Sequence, residues 1–245
     1  MKAIPVIYLF AALLTWACSY NGAVAGVLPV FAWCALLAFA LQWLAFVPAY
    51  VYQTEKYYDL AGSTTYIATV LLALVLAGAS DFRSLIVALF VIVWALRLGT
   101  FLFTRISREG GDSRFDRIKP DPLRFFVTWS LQGLWVIVTA ACALATITAA
   151  QAAPLALYDL AGIALWLTGF IIEAIADRQK RRFRARHGSE RFIDSGLWSR
   201  SRHPNYFGEI LLWSGIALLA LPAMSAFHST ALLSPLFVSL FLTRI

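Results

Sequence analysis

The sequence predicts an all-α fold, a polytopic helical membrane bundle of seven to eight transmembrane helices with no Rossmann domain. Three observations carry that expectation. Of the 245 residues, 61% are hydrophobic and only 13% charged, a balance that soluble domains do not show. The apolar residues fall into eight runs that approach the ~20 residues needed to cross a bilayer. No Pro/Ser/Gly-rich tract and no internal repeat divides these runs, so one domain over 1–245 is the economical reading.

In order, the runs are 5–20, 27–51, 64–79, 83–104, 125–149, 155–176, 207–222 and 229–243. The first follows "MK" and precedes "AVAG", which would also suit a secretory signal peptide. Multispanning chains commonly begin the same way, and 5–20 is read as an added N-terminal span. The last two runs are joined by "LPAMSAFHS" and can form one broken helix, which gives the lower count of seven. Cys18, Cys34 and Cys142 lie inside the runs with no C-x-x-C pairing, so they read as buried structural residues.

The net charge of +7 is concentrated, with six Arg/Lys between 105 and 124 and nine between 177 and 202. By the positive-inside rule both segments face the cytoplasm. The N-terminus, the 52–63 segment and Arg244 then share that side, while 21–26, 80–82 and 150–154 face outward. Anionic headgroups alone could explain basic loops. Acidic residues within them, Glu109, Asp112, Asp116 and Asp121 in the first and Asp177, Glu190 and Asp194 in the second, favour a specific ligand instead. A nucleic-acid role is not expected, because no soluble module offers aromatic faces for bases.

Four polar clusters lie on or beside this face. In "WALRLGTFLFTR", Trp94, Arg97, Phe101 and Arg105 form a stripe at helical spacing. Arg97 is two turns inside the membrane, where a buried anionic partner or a ligand is expected; Arg105 could equally snorkel to the surface. In "GFIIEAIADRQKRRFRARHGSERF", Glu173, Asp177, Arg181 and Arg184 share one helix face. Acid-before-base pairs support a helix by themselves, yet Glu173 is still inside the apolar run, where an unpaired carboxylate is costly. In "SRHPNYFGEILLW", Pro204 predicts a helix start, with Asn205, Glu209 and Trp213 on one face and Ser201 near the cap. In "VYQTEKYYDLAGS", Gln53, Glu55, Tyr57, Tyr58 and Asp59 offer carbonyl-directed donors, although tyrosines at this depth are also ordinary interfacial anchors. Partial burial is expected to raise the Glu55 pKa and keep it protonated, able to donate a hydrogen bond.

No G-x-G-x-x-G, G-K-[ST] or H-E-x-x-H motif is present, and the three histidines are not paired at ligand spacing, so no metal is expected. Any nucleotide must be held by arginines, carboxylates and helix ends of the membrane domain itself.

From about residue 51 to 245 the chain resembles the membrane-embedded steroid 5-alpha-reductases, and most closely their bacterial relatives of the DUF1295 type. The resemblance rests on "QTEKYYDLAG", "WALRLGTFLFTR", "EAIADRQKRRFR" and "GLWSRSRHPNYFGE", in that order. It implies a helical bundle enclosing NADPH, with the nicotinamide inside the membrane region and a steroid entering from the bilayer. It further implies that 51–245 is the catalytic and cofactor-binding part of an integral protein of the bacterial inner membrane, with a cytoplasmic active-site face. The family's nucleotide-binding Asn-x-x-x-Asp pair and following Arg look like Glu173, Asp177 and Arg184, with Glu replacing Asn. Arg181, on the same face, joins them. Its Asn and Glu at the start of the next membrane helix match Asn205 and Glu209, in a stretch that brings Arg202, His203 and Tyr206 to the cofactor. Its Tyr-x-x-Arg pair matches Trp94 and Arg97, keeping the arginine and losing a hydroxyl used on the substrate ketone. Its carbonyl-reading Gln-Glu pair looks like Gln53 and Glu55, and Tyr57 or Tyr58 could replace the lost hydroxyl. The family continues with an Arg/His/Tyr-bearing tail where this sequence reaches Ile245, so that tail's contacts are expected to be missing or made otherwise.

The expected reaction is NADPH-dependent reduction of the carbon–carbon double bond of a 3-oxo-Δ4 steroid or similar enone lipid, with hydride to C5 and a proton to C4. Glu55, with Gln53 or a tyrosine, would hold the carbonyl oxygen; Arg97, Arg105, Arg184 and the Asn205 helix end would hold the phosphates. Membrane lipids are the expected surroundings, and the oligomeric state is open. An alternative stays open, because "RHPNYFG" also resembles the R-H-P-x-Y-x-G stretch of isoprenylcysteine carboxyl methyltransferases, which use S-adenosylmethionine. A transporter-like lipid binder is a third reading, weakened by the lack of repeats.

Overall fold

The computed structural model describes residues 3–188, 191–224 and 228–243, so Arg244 and part of "LPAMSAFHS" lie outside the described residues. Among these the chain forms α1 (Ala3–Cys18), α2 (Val30–Val51), α3 (Tyr58–Ala77), α4 (Phe82–Glu109), α5 (Pro122–Thr139), α6 (Ala141–Ile147), α7 (Leu157–His187), α8 (Pro204–Ala220) and α9 (Leu233–Thr243). The described strands, β1 (Val24–Ala25) and β2 (Leu28–Pro29), form one small hairpin between α1 and α2. The described residues are therefore predominantly helical, as the apolar runs require.

Local chemistry sets the helix ends. Asp81 caps α4 by accepting from the Ser84 N–H, and Asp121 caps α5 by accepting from Leu123 and Arg124 with Pro122 in the first turn. α4 ends at Gly110, whose φ of 81° is the left-handed conformation that stops a helix. α8 begins at Pro204, as "RHPN" predicts. Two boundaries differ from the runs. α3 starts at Tyr58, so Asp59 belongs to its first turn and not to a loop. α7 reaches His187, with Arg184, Arg186 and His187 in its last turn suiting the negative end of the helix dipole.

Among the described residues five helices are long and apolar enough to cross a membrane, namely α2, α3, α4, α7 and α8 continued to Ala223, and α5 with α6 makes a sixth if that pair is one span. The sequence expectation was seven to eight. The difference lies in α1 and α9, which at 16 and 11 residues fall short of the ~20 a straight crossing needs. α5 and α6 meet at a 56° bend, and all seven α6 residues are buried, so this half-span turns into the core. Ser234 Oγ donates to the Thr139 carbonyl at 2.5 Å beside the bend, giving that carbonyl a partner there.

The tightest packing joins α7 and α8, which run antiparallel with backbones in contact. A Cβ at Gly169 would meet the Gly208 carbonyl and the Leu212 N at 2.5 Å, and one at Gly215 would meet the Gly162 carbonyl and the Trp166 N at 2.7 Å. Small residues spaced seven apart on both helices permit this approach. At one end of the bundle, Arg83 donates to Asp159 (2.9 and 2.8 Å) and to the carbonyls of Ala153 and Pro154, while Ala23 pairs with Thr148. At the other end the 52–57, 110–121 and 196–203 segments gather, which is the grouping the charge pattern predicts.

Candidate functional site

A cavity of about 780 Å3 opens at this second end, between α3, α4, α5, α7, α8 and α9. Its walls have two characters. Arg105 and Arg108 from α4, Arg114 from the α4–α5 connection, and Lys180, Arg181 and Arg184 from α7 make one part strongly cationic. Tyr66, Trp94, Leu98, Phe101, Trp135 and Val136 make another part aromatic and apolar.

Polar atoms without partners mark the same space. Tyr66 Oη, Trp94 Nε1, Arg105 Nε, Gln132 Oε1, Glu173 Oε2 and Asn205 Oδ1 are each buried and make no hydrogen bond among the described residues, and all six residues line the cavity. Buried polar groups are nearly always satisfied, so a cluster of exceptions around one cavity points to a ligand. The volume lies within the ~300–1,000 Å3 of small-molecule and cofactor pockets.

The wall behind the cavity is an ion-pair cluster. Arg97 Nη1 donates to Asp177 Oδ2 at 2.9 Å and Nη2 donates to Glu173 Oε1, while the guanidinium lies 5.7 Å from the Phe170 ring centre. One arginine on α4 thus holds two carboxylates one turn apart on α7. Glu209 from α8 adds a third carboxylate close enough to feel the same guanidinium. The glycine contact between α7 and α8 is what brings Asn205 and Glu209 beside Glu173 and Asp177, since a Cβ at Gly208 would sit 2.7 Å from the Glu173 N.

Comparison with protein-family models matches residues 43–245 to the family described as "Protein of unknown function (DUF1295)". The chain belongs to the DUF1295 family. No curated protein and no solved structure matches it.

In this DUF1295 chain, Trp94, Arg105, Glu173, Asp177, Arg181, Arg184, Asn205, Tyr206 and Glu209 line one cavity, gathered there from three helices. Arg97 is not on the cavity surface; its donors go to Glu173 and Asp177, the buried anionic partner its depth called for. Arg202 and His203 are exposed and outside the lining, His203 stacking on Tyr206 with ring centres 4.9 Å apart.

The 53–58 cluster lies outside the cavity lining. Gln53 is exposed and its Nε2 donates to the Tyr50 carbonyl at 2.7 Å. Tyr57 is exposed and stacks on Phe103, and Tyr58 Oη donates to the Thr128 carbonyl at 3.0 Å. Glu55 is buried, but it receives Lys119 Nζ at 2.7 Å and the Asp112 N–H at 2.8 Å. The expected raised pKa is thereby corrected. Burial alone would push the Glu55 carboxyl up, but the hydrogen bonds from Lys119 and Asp112 and the Lys119 charge outweigh it and hold the group below its ordinary value of 4.5. Glu55 is an ionised latch on the α4–α5 connection. Asp112, within that latch, accepts from the Arg114 N–H and guanidinium, which holds Arg114 at the cavity.

Sequence reading missed several contributors. Tyr66 and Gly62 follow Asp59 at i+7 and i+3 on α3, and all three line the cavity, a stripe visible in "DLAGSTTY". Gln132 was hidden because a lone Gln in an apolar helix carries no spacing signal. Gly162 and Gly169, facing Gly208 and Gly215, were legible as paired seven-residue spacings.

Proposed function

We propose that this cavity binds NADPH together with an enone lipid, and that the protein is an NADPH-dependent membrane reductase of a carbon–carbon double bond conjugated to a carbonyl, as in a 3-oxo-Δ4 steroid. One observation carries this reading: a single cavity pairs a cationic wall with an aromatic wall and rings both with unpartnered polar atoms.

The residues fit the cofactor. Arg105, Arg108, Lys180 and Arg181 present the planar forks and ammonium that bind diphosphate and a ribose phosphate. Glu173 Oε2 and Asn205 Oδ1 are buried acceptors without partners, the groups a carboxamide NH2 needs. When bound, NADPH supplies the hydride that the polypeptide cannot. The chain's own work is to orient and to exclude water. Trp94, Phe101 and Trp135 present flat apolar surfaces to a fused-ring lipid, and the Arg97 cluster locks α4 against α7 so that the two walls keep their separation. The resemblance to steroid 5-alpha-reductases supports the substrate class, and the apolar spans support delivery from the bilayer.

Thermal stabilisation of the purified protein tests the reading, because a ligand that binds only the folded state raises its stability by mass action. NADPH is expected to raise the melting temperature more than NADH, with S-adenosylmethionine inert. Arg181→Ala is expected to weaken NADPH about tenfold or more, the scale of one charge-assisted hydrogen bond. A shift with S-adenosylmethionine and none with NADPH would replace this reading with the methyltransferase.

A further inference from the structure

The aromatic wall of the cavity holds one hydroxyl whose setting calls for a ligand. Tyr66 is 5% exposed, lines the cavity from α3, and its Oη has no hydrogen-bond partner among the described residues; Thr139 and Trp135 are close but out of bonding geometry. Its ring is fixed from two sides, edge-on to Trp94 at 5.1 Å between ring centres and tilted against Trp213 at 6.1 Å. Trp94 packs edge-on against Trp213 in turn at 5.0 Å, so the three rings form a rigid cluster that holds the Tyr66 ring and leaves its hydroxyl unbonded.

The nearest polar groups on this wall are partly committed elsewhere. The Trp94 N–H lies near Glu173, on the carboxylate side of the cavity, and makes no hydrogen bond. Gln132 gives one Nε2 hydrogen to the Tyr58 carbonyl at 3.1 Å, and its Oε1 is an unpartnered acceptor. Trp135, Val136 and Leu98 are apolar neighbours on the same wall. This end of the cavity therefore suits a mostly apolar ligand carrying an oxygen that accepts one hydrogen bond.

We propose that Tyr66 donates that hydrogen bond, to the carbonyl oxygen of the enone, and so replaces Gln53, Glu55, Tyr57 and Tyr58 as the group that reads the substrate. The assignment rests on the reductase reading above. The hydroxyl keeps its proton throughout. It acts by a fixed dipole at the oxygen where negative charge develops when the conjugated double bond is reduced, and the rigid aromatic cluster spares it any reorganisation.

Tyr66→Phe keeps the ring and removes the hydroxyl. Tryptophan fluorescence of the cofactor-free protein would be titrated with cholest-4-en-3-one and with cholest-4-ene, the hydrocarbon lacking the oxygen. The wild type is expected to prefer the ketone by about tenfold or more, as one hydrogen bond allows. Tyr66→Phe is expected to abolish that preference, leave hydrocarbon binding and the NADPH thermal shift unchanged, and lower NADPH-dependent reduction by about 10²–10³-fold, the scale of a lost oxyanion donor. Its melting temperature without ligand should be no lower than wild type, since an unpartnered hydroxyl stabilises nothing. A ketone preference that survives Tyr66→Phe, or a ligand-free melting temperature that falls, overturns the assignment while an NADPH shift leaves the reductase reading standing. A wild type with neither ketone preference nor NADPH shift overturns both.

Discussion

Arg97 and Glu55 are the residues whose chemistry is most sharply defined. Arg97 holds Glu173, which is 3% exposed, and Asp177 at once, so removing it leaves two carboxylates uncompensated in a low-dielectric interior. Arg97→Met is expected to cost about 3–5 kcal/mol, the range for breaking a buried pair. Adding Glu173→Gln should recover part of it. Thermal unfolding in detergent reads both, and an unchanged melting temperature for Arg97→Met would show that the cluster contributes little. Glu55 and Lys119 make a pH-dependent pair on the α4–α5 connection. The Glu55 carboxyl is held below 4.5, so its contribution is full above 4.5 and is lost as pH falls through the folded value. Lys119 is held above its ordinary 10.5, chiefly by the Glu55 hydrogen bond, so its contribution is full below 10.5 and is lost only as pH rises beyond that. Hydrogen exchange at the Asp112 amide, corrected for intrinsic rate, should stay protected across neutral pH and loosen below 4.5. Glu55→Gln should remove the acid limb of that profile; a variant that keeps it would assign the limb to another group.

The decisive contact among elements is the one between α7 and α8. Four glycines let the backbones touch, and that contact, not any side-chain bond, sets Asn205 and Glu209 against Glu173 and Asp177. Gly169→Ala inserts a methyl 2.5 Å from the Gly208 carbonyl, which only separation of the helices can relieve. A loss of about 1–3 kcal/mol is expected, the usual cost of overpacking, together with weaker NADPH stabilisation. A variant that melts lower but responds to NADPH as wild type does would show that the cavity tolerates the shift. The α4–α5 connection is the second element that matters. It reaches the cavity through Arg114, and it is fixed from below by Glu55, which explains the burial of a carboxylate that never meets the cavity.

For the whole molecule, the arrangement of the connections is the strongest statement. The segments 52–57, 110–121 and 196–203 meet at the cavity end, while 21–26, 79–83 and 148–156 meet at the other, held by the Arg83–Asp159 pair and the Gly22–Ala149 bridge. In cells, single cysteines at Arg117 and Ser199 should share one labelling pattern with a membrane-impermeant maleimide, and a cysteine at Gln151 should show the opposite one, before and after permeabilisation. Labelling of Arg117 and Gln151 positions from the same side would contradict a spanning bundle. The short α1 and α9 leave the number of full crossings at five or six by length, and such labelling also shows whether both ends of α1 are on one side.

The helical membrane bundle, the clustering of charge at one end, and the stripes containing Arg97, Glu173, Asp177, Asn205 and Glu209 were all legible in the sequence. Each is a local property, set by hydrophobic run length or by the 3.6-residue period, and needs no knowledge of neighbours. What the tertiary structure alone decided was which polar groups share a space. "QTEKYY" and "DLAGSTTY" are adjacent in sequence, yet a helix that starts at Tyr58 turns Asp59 and Tyr66 into the cavity and leaves Glu55 to Lys119, a residue 64 positions away. The charge state of Glu55 followed the same rule, because burial by itself raises a carboxyl pKa and only the partner, invisible to local pattern, reverses the sign.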